Sequence, residues 1–121
     1  QYDDGLAYRQ SKLAQILHAN DLAEQLKGTG ITVNSLHPAT LMSTKMVLDS
    51  TALPDSMTTV ADGANALEYL ISSEQLDNVS GCYFDCKDKS QADDQAYDEE
   101  AHKQLRELSD ALVKQALSAA I

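Results

Sequence analysis

Basic residues are scarce in this chain of 121 residues. It has nine Lys and Arg against nineteen Asp and Glu, which gives a formal net charge of −10. Nucleic-acid phosphates are bound by clustered Lys and Arg side chains, and anionic membrane surfaces attract the same residues. The composition therefore predicts neither a nucleic-acid partner nor a membrane-surface partner.

Long hydrophobic runs and cysteines are also few. No run approaches the roughly 18 apolar residues of a membrane span, and the first twenty residues lack the basic start and apolar block of a signal peptide. Cys82 and Cys86 would stand about 13 Å apart on a strand, too far for a disulfide, and two thiols without neighbouring histidines are too few for a zinc site. The sequence thus predicts that the cysteines are reduced, small core residues, and it predicts no metal site, no membrane span and a cytoplasmic protein.

Apolar spacing and helix-end signals predict three helices separated by two strands. The predicted helices cover approximately residues 6–27, 59–72 and 96–117, and the predicted strands cover residues 31–36 and 82–85. Helices that alternate with strands are typical of a parallel α/β sheet. Because such sheets normally have several strands covered on both faces, two strands are expected to be only part of one.

The second predicted helix shows a start signal and an apolar stripe. Thr59 followed by Asp62 resembles a capping box. Its apolar side chains at helical spacing are expected to be buried, namely Val60, Ala64, Leu67 and Ile71. The polar segment before it, residues 37–58, is long for a plain connection and is expected to be functional or partly helical.

Tyr8 and Lys12 form the pair of residues best suited to chemistry. Four residues apart on a helix, their Cβ atoms are about 5–6 Å apart. An ammonium group beside a phenol favours the phenolate, so such a tyrosine can act as a general acid or base near neutral pH. Tyr83 and Lys87 repeat the spacing, but on a predicted strand that separates them.

The segments around this pair occur in a characteristic order. The Tyr8-x-x-x-Lys12 helix is followed by a strand that ends in His37-Pro38-Ala39, and then by a loop rich in Thr over residues 40–44. This order and spacing resemble the C-terminal half of the short-chain dehydrogenases/reductases. Residues 81–84 resemble the last strand of that family, and residues 101–112 resemble the tail helix of its retinol-dehydrogenase-like branch.

The resemblance implies a fold and also a missing part. Residues 1–121 would be a C-terminal fragment of one such domain. The fold class of this fragment would be α/β, and it would form the C-terminal part of a Rossmann-like doubly wound parallel sheet. The family's Gly-rich dinucleotide turn, its Asn-Ala-Gly motif and its catalytic serine precede this region. Gly28-Thr29-Gly30 links a helix to a strand, whereas the dinucleotide fingerprint links a strand to a helix. We therefore expect this fragment alone to be inactive.

The resemblance also implies a reaction and residue roles. The reaction is hydride transfer between NAD or NADP and a small-molecule alcohol or carbonyl substrate. Tyr8 would be the catalytic acid/base, and Lys12 would stabilise its phenolate and bind the nicotinamide ribose. The other residues expected to bind the cofactor are Pro38, Ala39, Leu41 and either Ser43 or Thr44. Ala39 departs from the family, which usually has Gly there.

A non-catalytic function is the alternative to an enzymatic one. In it the α/β fragment acts through self-association or pairing with a partner, using an exposed strand edge and a first helix with two apolar faces. A homo-oligomer is expected in either case. Extended-type nucleotide-sugar epimerases share the Tyr/Lys pair, but the His37-Pro38-Ala39 strand end and the tail helix favour the first family.

Overall fold

Four helices and three short strands make up the computed structural model of the chain, which describes residues 2–48 and 58–119. In chain order these elements are α1 (Asp4–Gln25), β1 (Ser35–His37), α2 (Lys45–Leu48), α3 (Val60–Ser72), β2 (Tyr83–Asp85), β3 (Asp88–Ser90) and α4 (Glu99–Ala119). Short 3₁₀ turns at Glu74–Leu76 and Asp94–Tyr97 precede β2 and α4. None of the described helices is long and apolar enough to cross a membrane.

The strands form one mixed sheet in the order β1-β2-β3. β1 and β2 are parallel, with Leu36 opposite Phe84, as the alternation of strands and helices predicts. β2 and β3 are antiparallel and are joined by a tight turn in which Cys86 has a φ of 54°. The fold is therefore α/β, but β3 was not predicted, because its side chains are polar and all exposed.

The first strand lies further along the chain than residues 31–36. It covers Ser35–His37, and Ile31 is 57% exposed. Just before it, the Asn34 side chain bonds to the segment that leads into β2: Nδ2 donates to the Val79 carbonyl at 2.8 Å, and Oδ1 accepts from the Cys82 N–H at 3.1 Å. The β-branched residues 31–33 thus precede a strand that is only three residues long.

Helix α1 is fixed at its start by a cap and near its end by packing against α4. Asp3 Oδ1 accepts the Leu6 N–H at 2.8 Å, a regular N-cap. Buried Asn20 donates through Nδ2 to the carbonyl of fully buried Ala96 at 2.7 Å. The neighbouring Asp21 side chain, also buried, forms an ion pair with Arg106 of α4. The C-terminal half of α1 is thereby tied to the last helix.

Helix α3 begins where the sequence predicts, but a different face of it is buried. Its capping box is present: the Thr59 hydroxyl accepts the Asp62 N–H, and the Asp62 carboxylate accepts the Thr59 N–H. The buried residues are Gly63 and Ala66. The predicted buried stripe is wrong, because the apolar side chains that form it are exposed, namely Val60, Ala64, Leu67 and Ile71. Small residues allow the helix to approach the rest of the chain closely, and the larger ones face away.

The cysteines and the tail helix contribute little to the core. Cys82 is half-buried and Cys86 is exposed, so the prediction that the two cysteines are core residues is wrong. In α4, which starts at Glu99 rather than near residue 96, Leu108 and Leu112 are 58% and 56% exposed. Only the first turns of α4 lie against α1, where the Arg106 pair and Ala96 hold it.

Candidate active site

Helix α1 places Tyr8 and Lys12 one turn apart, on the same side. The Lys12 Nζ atom lies 5.5 Å from the centre of the Tyr8 ring, which is within the range of a cation–π contact. Tyr8 is 53% exposed, and no described residue forms a hydrogen bond with its hydroxyl group. That hydroxyl is thus accessible to a small molecule beside an ammonium group.

A cavity of about 660 Å³ opens beside this pair. Its walls are the first half of α1, the end of β1 and the loop that follows β1. Both members of the pair line it, together with four of the other residues singled out from the sequence, Pro38, Ala39, Leu41 and Thr44. The apolar part of its wall includes Ile16, Leu36 and Met42. Pockets of roughly 300–1,000 Å³ are typical of small-molecule sites.

Ser43 and Thr44 differ in position although they are neighbours. The Ser43 N–H donates to the Thr58 carbonyl at 3.3 Å, and Ser43 does not line the cavity. Thr44 does line it, and its carbonyl accepts the N–H groups of Val47 and Leu48, the last two residues of α2. Of the two candidates, Thr44 is therefore the one that faces the site.

The loop that carries these residues is held in a tight conformation. Leu41 has a φ of 49°, a left-handed backbone conformation that non-glycine residues seldom adopt. The Thr58 hydroxyl donates to the Thr40 carbonyl at 2.6 Å, which anchors the loop to the residues just before α3. Strained backbone of this kind is concentrated at functional sites.

Two further residues border the cavity. His37 Nε2 lies 3.0 Å from Thr40 Oγ1, and the His37 carbonyl accepts the Cys86 N–H at 2.8 Å. Hydrogen bonds thus hold both the side chain and the backbone of His37 in the cavity wall. Tyr83 of β2 also lines the cavity, and burial together with the nearby Asp85 raises the pKa of its hydroxyl group. Sequence reasoning missed Tyr83 as a wall residue. Strand alternation was the available signal, because its neighbour Phe84 is buried in the opposite direction.

Lys12 is the only cationic side chain among the described residues that line the cavity. A dinucleotide brings two phosphate groups, which proteins usually bind at a Gly-rich turn and a helix N-terminus. The chain places its Gly-x-Gly at the end of α1 instead. The donors present therefore fit the nicotinamide-ribose end of such a cofactor and not its diphosphate. Within residues 2–48 and 58–119, no group of three His, Cys, Asp or Glu side chains could hold a metal ion.

Comparison with known proteins finds several retinol dehydrogenases that are similar in sequence to this chain. Retinol dehydrogenase 14 of Homo sapiens is 34% identical over a gapped alignment of 124 positions, which covers 93% of this chain and 36% of that protein. Retinol dehydrogenase 13 of Mus musculus is 34% identical over a gapped alignment of 129 positions, which covers 97% of this chain and 39% of that protein. Retinol dehydrogenases of the short-chain dehydrogenase/reductase family thus match most of this chain, as expected of a C-terminal fragment of that family. The resemblance to its retinol-dehydrogenase-like branch, predicted from the motifs, is confirmed.

The similarity covers only part of the length of these short-chain dehydrogenases/reductases. The chain spans a little over a third of the two relatives just described. Retinol dehydrogenase 12 of Bos taurus is 38% identical over a gapped alignment of 94 positions, which covers 71% of this chain and 29% of that protein. No family model matches the chain. No solved structure matches it either.

Proposed function

We propose that residues 1–121 form the C-terminal, proton-transferring part of an NAD- or NADP-dependent oxidoreductase that interconverts an alcohol and a carbonyl compound. The observation that carries this proposal is the position of Tyr8 and Lys12 on the wall of the same cavity as Pro38, Ala39 and Thr44. The similarity to retinol dehydrogenases of the short-chain dehydrogenase/reductase family supports it. The parent fold in this proposal is a Rossmann-like doubly wound parallel sheet, of which the three strands are one edge.

Each side chain has a role that its position supports. When bound, the nicotinamide ring would supply or accept the hydride. Tyr8 donates its hydroxyl proton to the carbonyl oxygen during reduction and takes a proton from the alcohol during oxidation. The Lys12 ammonium group stabilises the resulting phenolate, and its N–H groups are the donors available to ribose hydroxyls.

The loop residues shape the space beside this pair. We assign Pro38, Ala39, Leu41 and Thr44 to the nicotinamide side of the cavity, with Thr44 preferred over Ser43. The relatives are named for retinol. Since Ile16, Leu36 and Met42 make part of the wall apolar, we propose an apolar alcohol or carbonyl compound as substrate.

Weak cofactor binding is expected for these 121 residues by themselves. Titration with NADH, followed by ¹⁵N NMR, should give a dissociation constant of about 1 mM or weaker, because Lys12 is the only cation that the described cavity residues offer to the cofactor. The amide signals that shift should be those of Lys12, Ala39, Leu41 and Thr44. A Lys12→Ala variant should lose these shifts, whereas Lys114→Ala, which removes a cation far along α4, should keep them.

Two results would count against this part of the proposal. Micromolar affinity for NADH or NADPH would show that a diphosphate site exists within the chain. Signal shifts confined to residues away from the cavity would remove Lys12 and the loop after β1 from the cofactor site.

Self-association is the second candidate function, and one observation favours it. The apolar stripe of α3 is exposed, with Leu67 at 52% and Ile71 at 77% exposure. Exposed apolar patches of this kind mark interaction surfaces. β1 is also at the end of the strand order, so one of its edges has no described strand beside it. Together these features support pairing with a second copy of the chain.

A further inference from the structure

Gly63 occupies a buried position in the first turns of α3 where the backbone does not require glycine. Its φ is not positive, unlike those of Gly28, Gly30 and Gly81. Glycine inside a helix lowers helix stability relative to alanine. The reason for a glycine at this position must therefore be space.

Two cavity residues fill that space. A Cβ atom on residue 63 would lie 2.5 Å from Met42 Sδ and 3.7 Å from Pro38 Cβ. The first distance is far below van der Waals contact, so Met42 would have to move. Met42 touches α3 on one side and lines the cavity on the other.

The loop cannot simply withdraw from α3 to make room. Its Thr40 carbonyl accepts the Thr58 hydroxyl at 2.6 Å, and its Ser43 N–H donates to the Thr58 carbonyl at 3.3 Å. Thr58 directly precedes the α3 cap Thr59. With the loop backbone fixed to the start of α3, a displaced Met42 side chain turns towards the cavity.

We propose that Gly63 is a specificity-determining residue: by giving Met42 room against α3, it keeps that side chain out of the cavity and sets the bulk of the compound that fits beside Tyr8. This inference rests on the proposed function for its choice of ligand. Gly63 itself touches no ligand and acts through Met42, so it is a positioning residue.

NMR of the full chain with ¹³C-labelled methionine methyl groups tests the inference. In Gly63→Ala the Met42 methyl signal should shift and gain contacts to Leu36 or Leu41 across the cavity. Affinity for octan-1-ol, used as the apolar alcohol probe, should fall about tenfold. The matched control is Gly5→Ala in α1, where the new Cβ meets only Asp3 Oδ1 at 3.4 Å and neither signal nor affinity should change.

A second variant separates a narrowed cavity from general damage to α3. Met42→Ala in the Gly63→Ala background removes the side chain that is in the way, and it should restore octan-1-ol affinity to within about twofold of the Met42→Ala variant. If Gly63→Ala fails to fold, the double variant should fold, because the clash is gone. Absence of rescue, or an unchanged Met42 signal and affinity in Gly63→Ala, would overturn the inference.

The same experiment distinguishes failure of the proposed function from failure of the inference about Gly63. If the wild-type chain does not bind octan-1-ol, the cavity is not an alcohol site and the proposed function loses its substrate. The Met42 methyl signal then decides on Gly63 alone. A shift in Gly63→Ala that Gly5→Ala lacks supports the positioning role, and no shift overturns it.

Discussion

At the scale of single residues, the proximity of Tyr8 and Lys12 could be predicted, whereas the contacts of the residues around them could not. Tyr8 and Lys12 lie four apart within one long helix, and helical geometry alone brings them together. The choice between Ser43 and Thr44 depends on a loop whose path is set by the Thr58 carbonyl and by the positive φ of Leu41. Neither is visible in local sequence preferences. Gly63 was missed for the same reason, because its role is a contact with Met42 made through space.

The Asp62 carboxylate gives a pH prediction. The Thr59 hydroxyl and N–H donate to it at 2.7 and 2.9 Å, and these bonds lower its pKa from the ordinary value of 3.8. A lowered native pKa means that Asp62 stabilises the fold at pH values above about 4 and that this contribution is lost as pH falls through the native pKa. Asp62→Asn should therefore lower the free energy of unfolding at pH 7 and have little effect at the most acidic pH at which the chain stays folded.

Urea unfolding at the two pH values measures this difference. The matched control is Asp77→Asn, which removes another exposed carboxylate, one outside the capping box. It should change the free energy of unfolding much less at pH 7. An Asp62→Asn effect equal at both pH values would show that the carboxylate charge does not act through the α3 cap.

At the scale of elements, the three long helices and the start of α3 were predictable, but the buried face of α3 was not. The Thr59–Asp62 cap is a local signal and is present in the structure. The buried face of α3 depends on what it meets, and the small residues Gly63 and Ala66 take the contact while Leu67 and Ile71 face solvent. Strand β3 has no apolar alternation to show it, since its partner β2 and the turn at Cys86 create it.

The exposed face of α3 predicts concentration-dependent association. Light scattering on size-exclusion fractions should show the mass rising from one chain towards two as concentration increases, because pairing would remove the Leu67 and Ile71 side chains from water. A variant with Leu67→Ser and Ile71→Ser should remain monomeric at the same concentration. Val113→Ser, at an α4 residue that is 58% exposed, is the control and should associate like the wild type.

Two results would speak against α3 as the pairing surface. One is a wild-type chain that stays monomeric over the whole concentration range at about 0.15 M salt, where repulsion between chains of net charge −10 is screened. The other is association that persists in the double Ser variant.

At the scale of the whole molecule, the charge and the site are separate features. Residues 61–121 carry most of the acidic excess, with several acids around the start of α4, whereas Lys12 is the single cation among the described residues that line the cavity. The sheet has three strands, and the chain matches a little over a third of the retinol dehydrogenases 14 and 13. From the sequence, the two predicted strands are expected to be part of a larger parallel sheet, because two parallel strands alone cannot bury both of their faces.

The central claim, that Tyr8 transfers the proton, is tested most directly in a chimera. Residues 1–121 would replace the matching segment of retinol dehydrogenase 14 of Homo sapiens, and oxidation of retinol with NAD or NADP would be followed. We expect Tyr8→Phe to lower kcat by at least about 100-fold with cofactor binding intact, while Tyr2→Phe, at a site 84% exposed, leaves kcat unchanged. A Tyr8→Phe chimera that turns over as fast as its parent would contradict the account.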